Sequence, residues 1–73
     1  MPRFKLILSR KQTRGKYYRA IIQTSETRKP LWDTIKEFSS TVFKELKEER
    51  GESGSVFISD ENRFEFIIEP IED

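Results

Sequence analysis

Between Pro30 and Arg50 the apolar residues Leu31, Ile35, Phe38, Val42 and Leu46 recur at spacings of 4, 3, 4 and 4. That period lines them up along one side of an α-helix. Trp32 and Phe43 flank the stripe and widen it. Pro30 suits the first helical position, where its missing N–H costs nothing. Thr34 and Glu37 offer a rival start as a capping box, and Gly51 is placed to cap the far end. Every other apolar segment is short, so this helix is the lid available to any sheet the chain forms.

The remaining segments read as strands. Phe4 to Leu8 sets Phe4, Leu6 and Leu8 against Lys5 and Ile7. A polar connection, Ser9 to Gly15, leads into Lys16 to Gln23, with Tyr18, Ala20 and Ile22 on one face and Tyr17, Arg19 and Ile21 on the other. After the helix, Val56 to Ser59 and Phe64 to Glu69 form a second pair, joined by a turn at Asp60 to Arg63. Pro70 ends the ladder. The expected fold is a single α+β domain spanning residues 1–73 in the order ββαββ. Its four-stranded mixed sheet, ordered 2-1-4-3, packs one face on the helix. Val56 and Ile58 are expected on that face, and Ile7, Tyr17, Ile21, Phe57 and Ile67 on the other.

Charge is divided unevenly. Residues 1–29 carry nine Lys or Arg and one acid, Glu26, whereas residues 30–73 carry five Lys or Arg and twelve acids. The first part is thus +8 and the second −7 beneath a net charge of +1. There is no cysteine and no histidine, which removes disulfides, thiolate chemistry, the commonest general base and the commonest metal ligand. Absence of cysteine fits a reducing, cytoplasmic setting. No apolar run is long enough to cross a membrane. Glu65 and Glu69 share a strand face but read as solvated charges. Gly51-Glu52-Ser53-Gly54-Ser55 lacks the lysine of a phosphate loop, and Asp60, Glu61 and Asn62 are too few for a calcium loop. The expectation is a protein that is not an enzyme, with no cofactor and no metal.

Two resemblances add to this reading. Phe4-Lys5-Leu6-Ile7-Leu8, Gly15, Val42-Phe43-Lys44, Gly51, Gly54 and Asp60 resemble the β-grasp immunoglobulin-binding domains of the protein G type, which implies a β-grasp-like fold. Val56 stands where those domains carry an antibody-contacting tryptophan, so only the fold carries over. Arg14-Gly15-Lys16-Tyr17-Tyr18-Arg19, followed by Gln23-Thr24, is similar to the strand signature of Pur-type repeats, which implies single-stranded nucleic-acid binding.

The residues themselves point the same way. Lys5, Arg10, Lys11, Arg14, Lys16 and Arg19 gather on the first two strands and their connection, beside Tyr17. Cations meet phosphates and an exposed ring stacks on a base, so these residues form the candidate DNA- or RNA-binding set. The plainer alternative is a solubilising basic hairpin whose tyrosine only covers the sheet. The rival functional reading is a protein-interaction module, a homodimer or a small inhibitor or adaptor, that uses Ile7, Ile21, Phe57 and Ile67 on the uncovered sheet face.

Overall fold

The computed structural model describes residues 1–12 and 17–72. The elements are β1 (Phe4–Gln12), β2 (Tyr18–Ser25), α1 (Lys29–Ser40), β3 (Lys47–Arg50), β4 (Gly54–Ile58) and β5 (Asn62–Pro70). They form one five-stranded sheet in the order β2-β1-β5-β4-β3, and every pairing within it is antiparallel. The expected four-stranded mixed sheet is therefore wrong, and with it the β-grasp-like layout, which needs its two central strands parallel.

The error begins at the helix end. Ser40 Oγ and Thr41 Oγ1 both donate to the Glu37 carbonyl, and short polar side chains that bond back to the backbone favour leaving the helix. The chain then turns through residues 41–46. Val42 is 69% exposed, so the apolar period that continues past Phe38 is not a helical stripe. Phe43 swings into the core instead, its ring 4.6 Å from that of Phe64 and 5.1 Å from that of Phe57. The residues freed from the helix form β3, paired with β4 from Lys47↔Ile58 to Arg50↔Ser55. One additional strand reverses the direction in which the last strand arrives, so β5 runs antiparallel to β1. Gly51 lies in the turn between β3 and β4 rather than at a helix end.

The core lies between α1 and one sheet face. It holds Leu6, Leu31, Ile35, Phe43, Phe57, Phe66 and Ile68, with Phe4, Leu8, Trp32, Phe38, Leu46 and Phe64 packed around it. Phe57 is fully buried here, a correction to its expected place on the open face. Its register partner is Phe64, while Val56 and Ile58 pair with Glu65 and Arg63 on the opposite face. Val-Phe-Ile is apolar in both phases, so alternation could not fix which phase points inward. Gly54 is required by close packing, since a Cβ there would collide with the Phe66 carbonyl.

In β2 the register with β1 shifts: Leu6 faces Gln23 but Ile7 faces Ile21, leaving Ile22 as the extra residue of a β-bulge. Gln23 thereby takes the helix side, where Thr34 Oγ1 bonds it, and Ile22 stays 40% exposed. At the other border of the core, Glu48 on β3 accepts hydrogen bonds from Ser39 Oγ at 3.0 Å and Ser55 Oγ at 2.9 Å, and pairs with Arg50 Nη2 at 2.9 Å. One carboxylate thus ties α1 to β3 and β4.

Candidate nucleic-acid interface

Among the described residues nothing forms a second layer on the face of the sheet away from α1, and the strand register maps that face row by row. One row reads Thr24, Lys5, Glu69; the next Ile21, Ile7, Ile67, Gly54; the next Arg19, Ser9, Glu65, Val56, Glu49. The last reads Lys11, Arg63, Ile58, Lys47. The β1–β2 pairing ends at Arg10↔Tyr18, so Lys11 and Tyr17 each stand one residue past the last pair.

The structure separates the candidate residues into groups. Lys5 and Arg19 share this face and share one carboxylate, Glu69, at 4.0 Å and 3.7 Å. Lys11 is exposed at the end of the same face, and Tyr17, one residue before β2, is 63% exposed. Arg10 points to the helix side. Its Nη2 donates to Asn62 Oδ1 at 3.2 Å and its guanidinium lies 5.5 Å from the Phe64 ring centroid. Arg14, Lys16 and Gly15 lie outside the described residues.

The alternative protein-binding set is broken up. Phe57 belongs to the core, and Ile7, although on the open face, is 2% exposed. Ile21 remains 59% exposed and Ile67 is half-buried. The open face does gain Val56 and Ile58, both half-buried.

Sequence reasoning missed Arg63 and Lys47. Both come from the acidic part of the chain, yet the antiparallel β1·β5 pairing places Arg63 directly beside Lys11. A correct strand register was the signal needed to find them. Tyr18, expected on the face toward the helix, is 59% exposed and pairs with Arg10 at the end of the β1–β2 ladder.

Elsewhere the surface offers little chemistry. A shallow depression of about 540 Å³ is lined by Lys29, Trp32, Asp33, Lys36, Arg50 and Gly51, and the Arg50 guanidinium stands 5.8 Å from the Trp32 ring centroid. Among the described residues, no acidic cluster could hold a metal ion, and no helix is long and apolar enough to cross a membrane. The Glu48 carboxyl, held at the border of the core, has a lowered pKa. Burial alone would raise it, but the hydrogen bonds from Ser55, Ser39 and Arg50, with the Arg50 charge, hold it below the usual carboxylate value.

No protein-family model, curated protein or solved structure matches this chain.

Proposed function

We propose that this chain is a small non-enzymatic nucleic-acid-binding module that engages its ligand through the β1–β2 hairpin. The observation that carries this reading is the setting of Tyr17. It is an exposed ring within a segment, Arg3 to Ser25, that contains seven Lys or Arg and no acid. Phosphates are drawn to such a lobe by counterion release, and a solvent-facing ring offers a platform for one base. Lys11 is exposed at the same end of the hairpin. Lys5 and Arg19 supply charge further along the face, and Arg14 and Lys16 add two positive charges in the connection between the strands.

The test is retention of labelled mixed-sequence DNA and RNA oligonucleotides by the full chain at low salt. Wild type is expected to retain them and to release them steeply as salt rises. Lys11→Glu and Tyr17→Ala are each expected to weaken binding about tenfold, the worth of one charge contact or one stacked base. Absence of retention of either polymer at low salt overturns the reading.

A further inference from the structure

We propose that the open sheet face takes a single-stranded nucleic acid along the row Lys11–Arg63–Ile58–Lys47, crossing the strands rather than following them, with an unpaired base on Tyr17. This rests on the nucleic-acid reading above. It adds the form of the polymer and two residues, Arg63 and Lys47, that lie outside the hairpin.

The row is continuous by register: Lys11 faces Arg63, Arg63 faces Ile58, and Ile58 faces Lys47. With neighbouring strands about 4.8 Å apart, it runs roughly 14 Å across β1, β5, β4 and β3. Lys11 and Lys47 are exposed and hold no ion pair among the described residues. Arg63 keeps a long contact, Nε to Glu65 at 3.8 Å, with both side chains partly solvated, so a phosphate can compete for it. Ile58 places an apolar side chain between two cations, a surface on which a base edge can rest.

The acids around this row define its borders. Glu65 and Glu49 occupy the adjacent row of the same face, and Asp60 lies in the turn before β5. They repel phosphate on either side and confine a backbone to the row.

The row also selects the polymer. In a duplex the bases are stacked inside, so Tyr17 has no free base face to meet. A duplex would instead receive the β1–β2 hairpin as a two-stranded ribbon in its major groove. Lys47 lies on β3, at the opposite sheet edge from β2, beyond the reach of that mode. A single strand laid across the sheet reaches Lys47.

The experiment measures fluorescence anisotropy of a labelled mixed-sequence single strand of about 12 nucleotides, and of a duplex of equal length, over a salt series. Wild type, Lys47→Gln and Lys11→Gln are compared, with circular dichroism confirming that each is folded. The single strand is expected to bind more tightly than the duplex by about tenfold, the worth of one stacked base. Lys47→Gln is expected to make the log–log salt slope on the single strand shallower by about 0.7, one phosphate contact. Lys11→Gln should lower binding in either mode. If wild type binds but prefers duplex, or if Lys47→Gln leaves the slope unchanged, the sheet-crossing track is overturned and the hairpin reading survives. If wild type binds neither polymer, both are overturned.

Discussion

Arg19 Nη2 lies 3.7 Å from Glu69 Oε1, although their strands are not neighbours in the sheet. β1 runs between them. Arg19 is opposite Ser9 and Glu69 is opposite Lys5, so the ion pair crosses β1 on the diagonal and passes over Ile7. That residue is 2% exposed on a face with no covering layer. Lys5 Nζ reaches the same carboxylate at 4.0 Å. One acid from β5 therefore holds two hairpin cations and helps to roof an apolar side chain.

Under the proposed nucleic-acid reading, Glu69 competes with phosphate for Lys5 and Arg19. Glu69→Gln should bind an oligonucleotide several-fold more tightly than wild type, with a steeper salt dependence. Both partners are partly exposed, so the loss of stability should stay within about 1 kcal/mol. Anisotropy titrations and urea unfolding of the same samples check the two halves of this expectation.

Phe57 and Ile21 were expected on one face, and the structure puts them in opposite settings. Phe57→Ala should cost about 3–5 kcal/mol, the usual loss for a buried phenylalanine, a large share of what a domain of this size holds in reserve. Ile21→Asp, at a position 59% exposed, should shift the urea midpoint little. Equal effects of the two substitutions would contradict the assigned phase of β4.

Much of this fold is readable from residue pattern. The helix start near Pro30, the inward set Leu6, Leu31, Ile35, Phe66 and Ile68, and the hairpin of the first two strands follow from period and alternation. The helix end does not, because Val42 and Leu46 continue the period by coincidence while Ser40 and Thr41 bond back to the Glu37 carbonyl. Losing that boundary hides β3, and losing β3 reverses the direction of the last strand. The candidate interface inherits the same fault. Lys11 and Tyr17 are visible as part of a basic segment, but Arg63 and Lys47 sit among acids in sequence and join them only through register.

Glu48 gives the fold a defined acid sensitivity. Its folded-state pKa lies below the ordinary value. Its contribution is therefore complete above the unfolded-state pKa of about 4.3 and lost as pH falls through the folded value. In urea unfolding series at decreasing pH, wild type should lose stability through this range. Glu48→Gln should start lower at neutral pH and decline less on acidification. Parallel decline of the two proteins would remove Glu48 from this role.

The most direct test of the central claim, that register assembles a nucleic-acid surface from both parts of the chain, is a backbone amide NMR titration. A mixed-sequence single-stranded oligonucleotide is added to labelled wild-type protein at low salt. The account predicts shifts concentrated at Lys11, Tyr17, Arg63 and Lys47, with the Leu31–Ile35 helix signals unmoved. Shifts confined to α1, or no shifts at all, would contradict it.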